Sequence, residues 1–220
     1  MNVELRDPDI IMKLSRLGSF HQSKLSFLRS FLSEFKDWNY KRDIFDLDEN
    51  GFGIAVYSFK KKEKVYSLIC FANKIEDDER SDRVIATKWD AAFTLYDGVP
   101  NQHDIDRLKN EVPKQEVGRL TYEELTLSRA NKSVRVFNHV VESLSNGSQP
   151  NLDLLKKVGY LYRTTAVYGS GKFGLADRCR SKNREEINGP FRLEMMLVYL
   201  VRQFTFDQVI HVAKSKNPKK

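Results

Sequence analysis

Cysteine, histidine and long apolar runs are scarce in this sequence. Its 220 residues include two cysteines and four histidines, with no CxxC pair and no cluster at metal-ligand spacing, which argues against a structural zinc site. The longest purely apolar run, Met195–Val201, has seven residues, whereas a membrane span needs about 20. The N-terminus carries acidic residues and Pro8 where a signal peptide has an apolar core. We therefore expect a cytoplasmic protein with reduced cysteines, no metal and no membrane contact.

Positive charge is unevenly distributed along the chain. The net charge is +7, but residues 1–100 contain 16 Lys/Arg and 17 Asp/Glu, whereas residues 101–220 contain 21 and 13. Within residues 156–184, eight basic residues stand against Asp177 alone. Concentrated positive charge raises the local concentration of anions. The distribution therefore predicts an anionic partner for the second half of the chain.

The first half has the pattern of a helix followed by antiparallel strands. Apolar residues between Leu25 and Phe35 recur at helical spacing. Alternating runs then flank Asn50-Gly51, a strong hairpin signal that predicts a type I′ turn. Two more strands are expected at Val65–Ala72 and between residues 84 and 96. Residues 1–100 are thus predicted to form a subdomain with an N-terminal helix and a four-stranded antiparallel meander.

The second half has the pattern of helices. A capping box at Thr121 and Glu124 predicts a helix that ends at Asn146-Gly147. Its apolar stripe steps by three and four residues through Leu127, Ala130, Val134, Phe137, Val141 and Leu144, and a basic face is expected from Arg129, Lys132, Arg135 and His139.

Two further helices complete this half. One is predicted from Pro150 toward Tyr168, and the last begins near Gly189-Pro190. The last helix is apolar nearly all round from Leu193 to Phe204, which predicts that it forms the centre of the helical core. A second capping box at Thr205 and Gln208 predicts a bend and a short final helix. The fold class is therefore α+β, with residues 101–220 as a basic helical subdomain packed against residues 1–100 as one unit.

The stretch YGSGKFG, residues 168–174, fits the G-x-G-x-x-G pattern of dinucleotide sites. The segment before it has a helical pattern and no acidic residue follows at the end of a second strand, so a Rossmann site is not supported. Phe173 replaces the Ser or Thr of a P-loop. Two interpretations remain. Gly169 ends a helix and the other glycines reverse the chain, or backbone N–H groups form an anion nest with Lys172 inside it.

The second interpretation gives a candidate site for a small, phosphate-bearing anion. Its predicted ligand-binding residues are Tyr168, Gly169, Gly171, Lys172, Gly174, Arg178, Arg163 and Arg192, with Phe173 as a further apolar wall. No cofactor can be named from the sequence.

Other motifs are incomplete. Asp46-x-Asp48-x-Asn50-Gly51 imitates the start of an EF-hand loop, but Tyr57 stands where the bidentate Glu is required. Cys179 lies between two arginines, which favours a thiolate, yet no base can be assigned to it. No Ser/His/Asp set can be assembled. The sequence therefore identifies neither a reaction nor a catalytic residue.

Two other functions compete with anion binding. A nucleic-acid-binding module would use the basic second half, with aromatic residues interleaved among the charges as stacking platforms; these are Tyr160, Tyr162, Tyr168 and Phe173. A protein–protein adaptor or homodimer would use the Leu127–Leu144 stripe or a strand edge.

Overall fold

Seven antiparallel strands form one sheet in the part of the chain that the structure describes. The computed structural model describes residues 3–4, 32–79, 89–111, 123–168, 184–187 and 192–218. The strands are β1 (Val3–Glu4), β2 (Asn39–Leu47), β3 (Gly53–Lys61), β4 (Lys64–Ala72), β5 (Ala91–Asp97), β6 (Glu124–Lys132) and β7 (Tyr162–Tyr168). Their order across the sheet is their order along the chain. The sheet is therefore a continuous meander.

Helices cover both faces of this sheet. They are α1 (Gln102–Glu111), α2 (Val134–Ser145), α3 (Leu152–Val158) and α4 (Arg192–Lys216); residues 32–35 are also helical. We call the side covered by α2 and α4 the long-helix face, since their buried apolar residues join those of the sheet there in one cluster. The other side, where Ile105 and Leu108 of α1 pack on Val56, Ile69 and Phe71, is the α1 face.

Helix α4 is buried on nearly all sides, as its composition predicts. Every residue from Met195 to Thr205 is buried, and Phe204 stacks edge-on against Phe93 of β5 with ring centroids 5.6 Å apart. A helix that is apolar all round is stable only inside a core. The predicted burial of this helix is confirmed, but the core around it is formed with the sheet and is not purely helical.

Polar side chains fix how α4 lies on the sheet. The Asp207 carboxylate accepts a hydrogen bond from the Tyr57 hydroxyl at 2.9 Å and pairs with Arg42 at 3.2 Å. Gln208 donates to the carbonyl of Gly51 and accepts from the Tyr162 hydroxyl, both at 2.7 Å. These contacts connect one turn of α4 to β2, β3 and β7. Because buried polar groups must be paired, they allow one orientation of the helix.

The mixed helix-and-sheet class is confirmed, but the predicted four-stranded meander is smaller than the sheet observed. Residues 124–132, predicted as helix, form β6, and residues 162–168, predicted as the end of a helix, form β7. Both strands have partners in the sheet: β6 pairs with β5 and β7. Tertiary pairing of this kind overrides local spacing, which explains the error. Helix α3 ends at Gly159, whose φ is +78°.

The predicted long helix and its two surfaces are consequently wrong. The helix begins at Val134 and ends, as predicted, before Asn146 and Gly147. The Leu127–Leu144 stripe therefore crosses from a strand into a helix and is not one surface. Arg129 is buried on β6 instead of lying on a basic helix face. Glu124, predicted as part of a capping box, pairs with Arg107 of α1 at 2.5 Å.

Helix α4 is also continuous where a bend was predicted. The Thr205 hydroxyl donates to the carbonyl of Val201 at 2.8 Å, the usual contact of a threonine inside a helix. Gln208, its predicted capping partner, uses its side chain on the sheet. The helix runs without interruption to Lys216.

The predicted hairpin at Asn50-Gly51 exists, with a different turn. Gly51 N donates to the Asp48 carbonyl at 2.9 Å, and Gly51 has φ +82° whereas Asn50 is not among the positive-φ residues. The Asp48 carboxylate accepts from the backbone N–H of Asn50 and of Phe52. Asp48 thus stabilises its own turn through these two hydrogen bonds. The residues that resemble the start of an EF-hand loop are the residues that form this hairpin turn.

We predict that Gly51→Ala is more destabilising than Gly98→Ala. A Cβ at Gly51 would lie 2.7 Å from Cγ2 of Val212 and 3.0 Å from Cγ of Gln208, whereas at Gly98, with φ +107°, nothing lies within 4 Å. Overpacking adds about 1–3 kcal/mol to the roughly 1–2 kcal/mol cost of a positive φ. Urea unfolding of both variants measures the difference in free energy of unfolding. Equal losses would contradict the close approach of α4 to this turn.

Candidate functional site

The structure describes only part of the predicted anion site. Gly169, Gly171, Lys172, Gly174 and Arg178 lie outside the described residues. Tyr168 is the last residue of β7 and is in register with Leu127 of β6. The YGSGKFG stretch therefore follows an edge strand of the described sheet, not a helix.

The sequence argument against a dinucleotide site relied on a helix before the glycines, but the structure has a strand there. A strand does precede the glycines, as the Rossmann pattern requires. However, each pairing in the described sheet is antiparallel, and a Rossmann site needs parallel strands joined by a crossover helix. The antiparallel topology of the described sheet therefore argues against a dinucleotide site.

Arg163 and Arg192, the other two predicted site residues, have separate surroundings. Arg163 is exposed on β7 in register with Asn131; it lies five residues before Tyr168, about 17 Å along an extended strand. Arg192, in the first turn of α4, pairs with Glu34 at 2.7 Å. Its guanidinium also lies 3.4 Å from the carbonyls of Glu185 and Glu186. Arg192 thus binds the turn that precedes α4.

Residues 184–187 bring the chain back to the sheet after the basic segment. The Arg184 side chain is 1% exposed and donates through Nε to the Asp97 carboxylate at 2.5 Å. Two positions on, the Glu186 carboxylate accepts from the Tyr66 hydroxyl. Tyr66 and Asp97 are cross-strand partners at the same end of β4 and β5. We call Arg184, Asp97, Tyr66 and Glu186 the return anchor.

The return anchor alters the titration of Tyr66. Burial, followed by the hydrogen bond to the Glu186 carboxylate, raises the pKa of Tyr66 well above its ordinary value. The hydroxyl therefore stays protonated and remains a donor to Glu186. Segment 169–183 is thus bounded by Tyr168 on β7 and by this anchor at the end of β4 and β5.

A lysine-rich hairpin tip lies beside the return anchor. The β3–β4 turn, Lys60–Lys64, contains four lysines and one glutamate. Lys64 Nζ is 3.9 Å from the Glu186 carboxylate, and Lys61 Nζ is 3.7 Å from Asp37. The sequence alone shows that this turn is charged, but not which part of the chain it contacts. Its proximity to the return anchor depends on the pairing of Lys64 with Glu186, which lies far along the chain. No local signal in the sequence reveals this contact.

The buried polar groups beneath α4 hold structure together and show no sign of a reactive site. Burial, and then the Asp207 carboxylate, raises the pKa of Tyr57. Burial alone raises the pKa of the Cys70 thiol, which makes it unreactive. Burial lowers the pKa of Arg202 to about 10. Cys179 lies outside the described residues.

Among the described residues there is no group of three or more His, Cys, Asp or Glu that could hold a metal ion. His139 accepts a hydrogen bond from the backbone of Asn151 at 2.8 Å, and His211 contacts the carbonyl of Asp48 at 2.8 Å. Both histidines are used in local structure.

Comparison with known proteins gives no identification: no protein-family model, curated protein or solved structure matches this chain. Within the described ranges, no helix combines the length and the apolar character needed to cross a membrane.

We predict that Arg184→Met destabilises the protein by about 2 kcal/mol, because it takes the cation from Asp97, whose side chain is 27% exposed, and the arginine side chain that it replaces is 1% exposed. Methionine keeps the length of the side chain. Arg192→Met is the matched control: its pair with Glu34 has side chains 30% and 38% exposed, so the expected loss is below about 1 kcal/mol. Urea unfolding measures both losses. A loss from Arg184→Met no larger than the control would mean that the return anchor contributes little.

Proposed function

We propose that the protein binds a small, phosphate-bearing anion on the Gly169–Gly174 loop. Lys172 and Arg178 supply the positive charge, backbone N–H groups supply donors, and Tyr168 with Phe173 forms an apolar wall. The ligand class includes nucleotides, coenzymes with a phosphate group and phosphorylated metabolites. The proposal concerns binding and includes no reaction.

The observation that carries the proposal is the strand that ends at Tyr168. The competing interpretation needed Gly169 to end a helix. The helix in question ends ten residues earlier, at Gly159, which has the left-handed conformation of a helix-ending glycine. A helix end therefore no longer accounts for the glycines. Three glycines within six residues favour a loop whose successive N–H groups converge on an anion.

The distribution of charge supports the same assignment. Residues 169–183 contain four basic residues and one acidic residue. Three of the described carboxylates at this end of the sheet already have cationic or hydroxyl partners: Asp97 with Arg184, Glu186 with Tyr66, and Glu34 with Arg192. The hairpin tip Lys60–Lys64 adds positive charge next to the return anchor, which increases the encounter rate with anions.

We expect a nucleotide, coenzyme A, a sugar phosphate or inorganic phosphate to raise the melting temperature at low salt. A ligand at about 100 times its dissociation constant adds roughly 2.7 kcal/mol to stability. In Lys172→Ala/Arg178→Ala the increase should disappear. Lys156→Ala/Lys157→Ala removes the same charge from α3, where both lysines are exposed, and should keep the increase. Equal loss in both double variants, or no response to any of these ligands, would contradict the proposal.

Nucleic-acid binding is the second candidate, because the lysine-rich hairpin tip lies beside the return anchor, and the basic segment 169–183 directly precedes that anchor in the sequence. One of its proposed stacking platforms is unsuitable. Tyr162 is fully buried and its hydroxyl is bonded to Gln208. Single-stranded binding would therefore depend on charge more than on stacking.

We predict that, if nucleic acid is the ligand, log affinity for an oligonucleotide falls linearly with log salt, by about 0.7–0.9 per phosphate contacted. Fluorescence anisotropy with single- and double-stranded oligonucleotides measures this slope. Replacement of Lys60 and Lys62 by alanine should reduce the slope. No binding at low salt, or a flat plot, excludes this candidate and leaves the small anion.

A further inference from the structure

A histidine joins helices α2 and α3 through one hydrogen bond. His139 lies on α2, and its Nε2 atom accepts a hydrogen bond from the backbone N–H of Asn151 at 2.8 Å. Asn151 is also the N-cap of α3, because its side-chain oxygen accepts from the backbone N–H groups of Asp153 and Leu154. The residue that begins α3 is therefore also the residue that α2 holds.

Helix α3 has few other contacts that keep it in place. It is seven residues long and none of its residues is buried; Leu154, Leu155 and Val158 are partly buried against the core. An isolated helix needs about 12–15 residues to be stable in water, so α3 depends on its contacts with the rest of the fold. Segments with few buried contacts open at a low cost in free energy. Loss of the His139 bond should therefore affect the position of α3.

The direction of this hydrogen bond fixes the protonation state of the imidazole. A backbone N–H can only donate, so Nε2 of His139 carries no proton and the neutral ring has its proton on Nδ1. Protonation of the ring places a proton on Nε2, which then faces the N–H of Asn151 and cannot accept from it. Histidine is the side chain whose charge ordinarily changes between about pH 5 and 8. The hydrogen bond is therefore present above that range and lost below it.

The charged side chains around His139 do not replace the lost bond. Arg135 and Glu142, one turn away on α2, are both exposed and have opposite signs, so their effects on a charged ring largely cancel. Within the described ranges no ion pair joins His139 to any carboxylate. The other titratable groups on the elements that pack against α2 are Asp153, Lys156, Lys157 and Tyr160 on and after α3, Lys132, Tyr162 and Arg163 on β6 and β7, and Asp207, His211, Lys214 and Lys216 on the second half of α4, where Asn217 bonds to Ser145 of α2.

We propose that His139 forms a pH-sensitive contact between α2 and α3. Near neutral pH the ring accepts from Asn151 and keeps the start of α3 on α2, and in mild acid the protonated ring releases it. The turn before α3 stays attached, since Ser148 donates to the Ser143 carbonyl through its backbone N–H and its hydroxyl. The released part thus begins after Ser148 and leads into β7. The contact uses no residue of the proposed anion-binding loop and is independent of it.

His211 provides a matched control. Its Nε2 atom lies 2.8 Å from the carbonyl of Asp48, so this ring donates, and a protonated ring still donates. Both histidines are replaced by glutamine, which has a side-chain oxygen that can accept from Asn151 and a side-chain amide that can donate to Asp48. His139→Gln therefore keeps a hydrogen bond but removes its dependence on pH, whereas His211→Gln replaces a bond that does not depend on pH.

Melting temperatures at about pH 7.5 and about pH 5.5, on either side of the ordinary histidine titration, measure the effect. The decrease on acidification should be about 2–4 °C smaller in His139→Gln than in the wild type, which corresponds to one hydrogen bond in a chain of this size. In His211→Gln the decrease should be at least as large as in the wild type. An equal decrease in His139→Gln and the wild type would overturn the proposal, as would the same reduction in both variants.

NMR of the isotope-labelled wild type keeps the proposal testable if His139→Gln does not fold. Near neutral pH, Nε2 of His139 should be unprotonated and Nδ1 protonated, and in acid both ring nitrogens should be protonated. The backbone amide signals of Asn151, Asp153 and Leu154 should change with the same midpoint as the ring. A proton on Nε2 near neutral pH, or α3 amide signals that do not follow the ring, would overturn the proposal.

Discussion

The rest of the structure depends on the placement of α4 against the sheet. A helix that is buried along most of its length carries polar residues into the core, where each must find a partner. Asp207 finds Tyr57 and Arg42, and Gln208 reaches both the Gly51 turn and Tyr162. These bonds specify a single orientation, whereas apolar contacts alone would tolerate several. They also position β7, because Tyr162 begins that strand.

Two regions with different electrostatics follow from this arrangement. At the end of the sheet near Tyr66 and Asp97, ion pairs lie close to the surface and the surrounding lysines remain in water. Solvent therefore screens the charges of this region. On the α1 face, by contrast, the guanidinium of Arg129 is fully buried over the ring of Trp89. A charge buried in this way needs its partners within the fold, since an unpaired polar group is costly there.

Local signals predicted much of the first half of the chain and the ends of some helices. The Asn50-Gly51 hairpin, the Asn146-Gly147 helix end and the buried centre of α4 were all visible in the sequence, because turn chemistry and a helix that is apolar all round depend on adjacent residues. Residues 124–132 and 162–168 were mistaken for helix. Leu127, Ala130 and Val134 have helical spacing by coincidence, and the helix end at Gly159 has no proline or second turn residue beside it to mark it.

Local sequence was sufficient for the mixed helix-and-sheet class, for the turns at Asn50-Gly51 and Asn146-Gly147, and for the concentration of positive charge in residues 156–184. Tertiary structure alone decided that β6 and β7 extend the sheet, because a strand is stabilised by partners that can lie far away in the chain. The tertiary structure also decided which side chains contact each other. Arg184 with Asp97, Lys64 with Glu186 and Arg129 with Trp89 are pairs between distant segments. Their proximity depends on the register of the strands, which local spacing does not encode.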